Sequence, residues 1–391
     1  GIDIDHEDLN DVIWTNKDEI ANNGIDDDQN GYVDDIHGWN FLGKGYDEQL
    51  ELVRILVNGD MTNPDYARAK AEYDEEYGKW LERKTQYDQI YEQIKNADDA
   101  LANHLGKKDY TKEEVNAIKT EDDVLSRAVE ITKYMYSNGM DSLADAKKEI
   151  ASSLTSINDR LNSNLNKDLK GRVTGDDPDD MSTKYYGDGN VKPVKKSESH
   201  GTHVAGIIAA ERNNGLGANG VANNVEIMSV RAVPNGDEYD KDVALAIRYA
   251  VDNGAKVING SFGKSYSPHS DWVRDAITYA AEKDVVFVHA AGNDSNDVDI
   301  VPNFPDDNID GKEISDTYIR VGALGPKYGS NMVASFSNYG KQNVDVFAPG
   351  ASIYSTTPEN EYDTKGGTSM AAPAVAGVAA LIRSYYPNLS A

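Results

Sequence analysis

The chain has 391 residues, with 67 acidic against 39 basic side chains and a net charge of -28. That length can bury a large core and supports two domains or more. The acidity argues against a nucleic-acid partner, which demands clustered Lys and Arg. The absence of Cys excludes disulfides and thiolate metal sites, and no run approaches the ~18 apolar residues of a membrane helix.

Residues 1–43 are acidic and loop-rich. Within them Asp26-Asp27-Asp28-Gln29-Asn30-Gly31-Tyr32-Val33-Asp34 places oxygens at alternate positions, with a glycine for the sharp turn. The pattern matches the front of a calcium loop, whose ligands would be Asp26, Asp28, Asn30, the Tyr32 carbonyl and Asp34 or Asp35. It departs at the twelfth position, where His37 replaces the usual Glu. A plain acidic Asx-rich turn is the competing reading.

From about residue 45 to 170 the composition turns rich in Lys, Glu, Asp and Ala. Tyr66, Tyr73, Trp80, Tyr87, Ile94 and Leu101 recur every seven residues, the apolar seam of a long helix packed on another. A second helix is expected over Glu113–Tyr136. A third carries Leu143, Ile150, Leu154, Ile157, Leu161 and Leu165, with breaks near Gly106 and Gly139. These spacings predict a three-helix antiparallel bundle over 47–168, inserted into a domain formed by 1–46 and 169–391. The stacked aromatics read as packing rather than as a cofactor box.

The remainder alternates strand and helix. Strands are expected at Val225–Val233, Lys256–Ser261, Val285–Ala290 and Tyr318–Leu324, and helices at Asp242–Asn253, Ser270–Lys283 and from Ser369 to about Tyr386. Near-continuous apolar strands alternating with helices predict an α/β fold. Its sheet would be doubly wound and mostly parallel, with sites at the carboxyl ends of the strands.

Two motifs carry chemistry. Gly366-Gly367-Thr368-Ser369-Met370-Ala371-Ala372-Pro373 puts a serine on a tight turn at the mouth of a helix, where the helix N-terminus adds partial positive charge. A serine hydroxyl attacks a carbonyl poorly without a base. His200-Gly201-Thr202-His203-Val204-Ala205-Gly206 offers one at the start of another helix. Together with Asn259-Gly260-Ser261-Phe262-Gly263, Ala290-Ala291-Gly292-Asn293, Ala334-Ser335-Phe336-Ser337-Asn338 and Asp345-Val346-Phe347-Ala348-Pro349-Gly350, in that order, these blocks resemble the subtilisin-like serine peptidases (subtilases).

The resemblance covers roughly 1–40 and 175–391. It implies a serine endopeptidase with Ser369 as nucleophile, His200 as base and Asn293 as oxyanion donor, and with no catalytic cofactor. Ser261, Phe262, Gly263, Ala291 and Gly292 would bind the peptide or protein substrate. It implies structural Ca²⁺, with a second site at residues equivalent to Asp8 and Asn213. It also implies bacterial export, to the periplasm, the cell surface or beyond. His203 matches a structural position.

The family's third catalytic residue is an Asp in an Asp-Ser/Thr-Gly turn whose glycine matches Gly1, so it would fall two residues ahead of Gly1. Asp3, Asp5 and Asp8 match positions after it. Both ends of the chain read as cut. A catalytically inactive, subtilase-fold binding or assembly protein is the alternative, and the helical insertion is a candidate surface for a protein partner.

Overall fold

The computed structural model describes residues 1–391, which form two compact units: Gly1–Glu51 with Lys170–Ala391, and Leu52–Leu169. The boundaries lie a few residues from the 46/47 and 168/169 expected from composition. Asp47 bridges to Asn235 and Glu48 N–H donates to the Asn235 carbonyl, which ties this short stretch to the first unit.

The second unit is helical. It takes up most of α1 (Glu51–Asn58), followed by α2 (Tyr66–Leu105), α3 (Lys112–Ala117), α4 (Asp123–Ser137) and α5 (Leu143–Asp159), which runs on into a π-helical turn at Arg160–Asn164. Helix α2 buries Ile94, Ala97 and Leu101 against Val115, Leu125, Ala128, Val129, Leu143 and Ala146. The seven-residue seam is therefore deepest in its C-terminal half. Tyr73 and Trp80 stay half-buried and Tyr77 exposed. There the contacts are polar and aromatic: the Tyr73 hydroxyl donates to the Leu165 carbonyl at 3.2 Å, and Arg160 pairs with Glu76 beside Trp80.

The single helix expected over Glu113–Tyr136 is two. Thr111 and Glu114 form a reciprocal capping box at the start of α3. Ile118 then turns extended, and the Asp122 carboxylate caps Leu125 N–H to start α4. Local side-chain caps here outcompete helix continuation.

The first unit is α/β. Strands β1 (Gly38–Asn40) and β2 (Ser229–Arg231) pair in parallel. A four-stranded parallel sheet has the order β3 (Val257–Gly260), β4 (Val286–Ala290), β7 (Tyr318–Leu324), β8 (Val346–Pro349). Between β4 and β7 lies a short hairpin, β5 (Asn308–Ile309) and β6 (Lys312–Glu313); β9 (Ile353–Thr357) and β10 (Glu361–Lys365) form another. The expected strand Val225–Val233 is regular only over Ser229–Arg231, with one isolated bridge from Ile227 to Ile13.

Helices α7 (Asp240–Asp252), α8 (Ser270–Glu282) and α9 (Thr368–Tyr385) cover the four-stranded sheet, and α6 (His200–Ala209) packs on α9 and β9. Strand β4 shows why two layers form. Val286, Val288 and Ala290 pack with Ala371, Ala372 and Ala376 of α9, while Val285 and Phe287 pack with Val243, Ile247, Val273 and Ile277 of α7 and α8. Alternate residues of a strand point to opposite faces, so an apolar run of this kind is buried on both.

The segment Lys170–Asn190 is held by buried charge. Arg172 makes a bidentate pair with Asp242 (2.9 and 2.9 Å) and a second with Asp176, which also accepts from Lys241 at 2.6 Å. The Asp242 carboxylate is fully buried and otherwise takes only the Tyr186 hydroxyl. Removing one partner strands the other charge in the interior, which costs about 3–5 kcal/mol. Arg172→Met is therefore expected to destabilise the protein by about that amount, read as a lower midpoint in urea unfolding, whereas the exposed Lys79→Met is expected to leave the midpoint unchanged.

Candidate active site

Adjacent parallel strands β3 and β4 end side by side, with Gly260 opposite His289. Past their carboxyl ends the chain continues as Ser261-Phe262-Gly263 and Ala291-Gly292-Asn293, and α9 begins beside both. A crevice at this place in an open parallel sheet is where ligands bind.

Ser369 is the second residue of α9. Gly367, just before the helix, has φ +154°, a conformation that glycine alone adopts without strain. The Ser369 hydroxyl donates to the Ser261 carbonyl at 3.3 Å, and the Ser261 hydroxyl donates to the Ser369 carbonyl at 2.9 Å. The second bond depends on Pro373. Within α9 the Ser369 carbonyl would bond the N–H four residues on, but Pro373 has none. The proline thus frees the carbonyl that locks the serine turn to the end of β3.

Asn293 is oriented by the same turn. Its Oδ1 accepts Thr368 N–H at 2.8 Å and the Thr368 hydroxyl at 3.1 Å. With the oxygen so engaged, the amide Nδ2 is left as a donor without a protein acceptor. The Ser369 N–H, in the first turn of α9, likewise has no acceptor within the helix.

His200 opens α6 and lines the same cleft as Ser261, Phe262 and Gly263. Its ring makes no hydrogen bond to another residue. Its pKa lies below the ordinary imidazole value, first because protein atoms crowd the ring and then because His203 stands close by. The residue keeps exposed surface, so water tempers that shift. His203 is buried, with Nε2 at 3.1 Å from the Asp363 carbonyl. Asp3 and Asp8 face elsewhere: Asp3 accepts Glu359 N–H at 2.8 Å, and Asp8 accepts the Asn214 amide and Ala218 N–H.

A cavity of about 930 Å³ begins at this cleft. It runs on between β2 and β3, which do not pair with each other, past apolar side chains such as Met228, Val230, Ile247, Ile258 and Ala376. Ser369 and Asn293 do not line it.

Sequence reasoning missed His289. In an otherwise apolar strand it is fully buried, its Nε2 2.7 Å from the Phe262 carbonyl and its Nδ1 2.8 Å from the Tyr318 hydroxyl. A carbonyl only accepts, so Nε2 carries a proton and donates; the Tyr318 hydroxyl lies between Nδ1 and the Pro305 carbonyl, 2.8 Å from each. His289 thus holds the Ser261–Gly263 segment in place through the Phe262 carbonyl. A histidine inside a buried strand is the one sequence signal that marks it.

Of the acidic loop residues, Asp26 and Asp28 come together with Glu19, their carboxylate oxygens within 4.8 Å of one another. Sequence reading missed Glu19, which lies outside the loop motif. Asn30 Oδ1 accepts Tyr32 N–H, and its amide donates to Asp28 and Asp35. Asp34 turns its carboxylate to the N–H groups of Asn23 and Gly24. Of the second pair, Asp8 reaches Asn214 rather than Asn213.

The serine turn and the oriented Asn293 amide meet at the strand ends of an α/β fold, and His200 lines the adjoining cleft, an arrangement of the kind found in nucleophilic hydrolases. The chain belongs to the subtilase family, whose sequence model matches residues 1–391. It is 45% identical over 191 residues to the "Thermophilic serine proteinase" of Bacillus sp. (strain AK1), covering 49% of this chain and 44% of that protein. It is 40% identical over 220 residues to thermitase of Thermoactinomyces vulgaris, covering 56% of this chain and 70% of that one. A solved structure described as "S41 Psychrophilic Protease" is similar at 33% identity and a TM-score of 0.44, over 49% of this chain and 65% of that one. The chain thus spans less than half the length of the first of these relatives.

Burial, then the Arg320 charge, pushes the His289 pKa down to about 3. The unfolded chain takes up that proton near pH 6.5, so as pH falls from there toward 3 the unfolded state binds protons that the folded state refuses. Stability is expected to fall across this window. In His289→Gln the decline of Tm between pH 7 and pH 4 should be shallower than in the unaltered chain.

Proposed function

We propose that this chain is the catalytic domain of a serine endopeptidase that hydrolyses peptide bonds through an acyl-enzyme. The observation that carries the reading is the Ser369–Ser261 interlock with Asn293 clamped beside it. On this reading the Ser369 hydroxyl, the Asn293 side-chain N–H and the Ser369 backbone N–H serve one reacting carbonyl.

An extended peptide lies along Ser261, Phe262 and Gly263 and meets their backbone groups as an added strand. The Ser369 oxygen attacks the scissile carbonyl. His200 takes its proton and returns it to the leaving amine. The carbonyl oxygen gathers negative charge, which Asn293 Nδ2 and the Ser369 N–H receive. Among residues 1–391 no carboxylate bonds to His200. Gly1 lines the same cleft as His200.

Glu19, Asp26 and Asp28 supply hard oxygen donors of the kind that hold Ca²⁺. Three carboxylates drawn this close repel one another unless a cation lies between them. The site serves stability and takes no part in the reaction. Ca²⁺ is expected to raise Tm, EGTA to reverse the rise, and Glu19→Gln with Asp28→Asn to abolish the response. The substrate is a peptide or protein. Export to the cell surface or medium agrees with the name of a 35%-identical relative, the "Cell wall-associated protease" of Bacillus subtilis (strain 168).

A fluorophosphonate probe tests the reading. The protein is expected to label at Ser369 and to cleave casein, and Ser369→Ala to do neither. Asn293→Ala should lower kcat by about 10²–10³, a magnitude known from subtilisin rather than derived from this geometry. A well-folded protein that never labels would point instead to a subtilase-fold scaffold.

A further inference from the structure

One side chain of β3 does not fit the layer it faces. Val257 and Asn259 share a face of the strand, and Asn259 stands beside Val288 of β4. Val257 and Val288 pack with Ala371, Ala372 and Ala376 of α9. An apolar, β-branched residue suits such a position, and Asn is depleted in strands. The Asn259 Oδ1 is buried with no hydrogen-bond partner. A buried amide oxygen without a partner is unusual and costly, so the reason for an amide here lies in its nitrogen.

That nitrogen donates to the Ser261 hydroxyl at 3.0 Å, and the hydroxyl donates to the Ser369 carbonyl at 2.9 Å. A serine hydroxyl carries one proton. With its proton on the Ser369 carbonyl, Ser261 Oγ meets Asn259 as an acceptor, which settles which end of the amide faces it. The amide in turn keeps that proton pointed at α9. A group at 259 that only accepts would draw the proton to itself. The Ser369 carbonyl has no partner within the helix, because Pro373 lacks an N–H, so it would then be left without a donor.

We propose that Asn259 is a positioning residue for the nucleophile. It acts through Ser261. By holding the Ser261 proton on the Ser369 carbonyl, it fixes the first turn of α9 against the end of β3, and with it the Ser369 hydroxyl and N–H. The inference rests on the peptidase reading above and adds a residue to its machinery. Asn259 also lines the cavity that His200 lines. A direct effect on the histidine is therefore the rival, and a double substitution separates the two.

Asn259→Asp keeps the size of the side chain and replaces the donor with an acceptor. Asn259→Leu removes both polar atoms without adding charge. Each is expected to lower kcat on a peptide substrate about tenfold, the size of one hydrogen bond, with KM little changed. Ser261→Ala should lower kcat to a similar extent. With that hydroxyl gone, adding either Asn259 substitution should lower it no further. Far-UV circular dichroism checks that each variant is folded, and either one that folds suffices. An unchanged kcat in a folded Asn259 variant overturns the inference, and so does a further loss in the double variant. Both outcomes leave the peptidase reading standing. If the unaltered chain cleaves no peptide, that reading fails first. Hydrogen–deuterium exchange over residues 366–372 then decides the inference alone. Faster exchange in the Asn259 variants, with no further gain in the double variant, upholds it, and unchanged exchange overturns it.

Discussion

The reciprocal pair between Ser261 and Ser369 is the contact on which the rest of the site depends. It joins the end of a sheet strand to the first turn of a helix more than a hundred residues later, hydroxyl to carbonyl in both directions. One of those carbonyls is available only because Pro373 leaves it unclaimed. Helix interiors normally reject proline. Here the missing backbone bond becomes a tertiary one, and it holds the serine turn against the strand that would carry substrate.

Around that joint the supporting groups form a layered set. Thr368 engages the Asn293 oxygen and so aims the nitrogen of the same amide. His289 holds the Phe262 carbonyl, and Tyr318 and Arg320 lie behind His289. Ser369, Asn293 and the Phe262 carbonyl are thus each held by a neighbouring group. A site of this kind owes its selectivity to preorganisation, because donors already in place cost nothing to reorganise when charge develops.

Burial and charge divide the labour elsewhere. The sheet is stabilised by alternate faces of strands such as Val286–Ala290, packed on α9 on one side and on α7 and α8 on the other. The segment after the helical unit is anchored differently, by Arg172, Asp176, Lys241 and Asp242. Buried ion pairs add little net stability but penalise any arrangement that breaks them. They suit a chain that must return to one place after more than a hundred inserted residues.

Much of this was legible in the residues themselves. The glycine, threonine and proline around Ser369, the histidine opening a small-residue helix, and apolar runs alternating with amphipathic ones are local patterns. Local patterns specify turns, helices and strands. The seven-residue seam of α2 was equally plain. The split between α3 and α4 was not, because two caps beat a continuing periodicity. Glu19 and His289 had no pattern to belong to. Their surroundings come from neighbours that no local periodicity links to them, Asp26 and Asp28 for Glu19, and Phe262 and Tyr318 for His289. Sequence alone determined which elements form and which residues are chemically able. Only the tertiary structure decided which of them share a point in space, because hydrogen bonds and charge act over a few ångströms, whatever the distance along the chain.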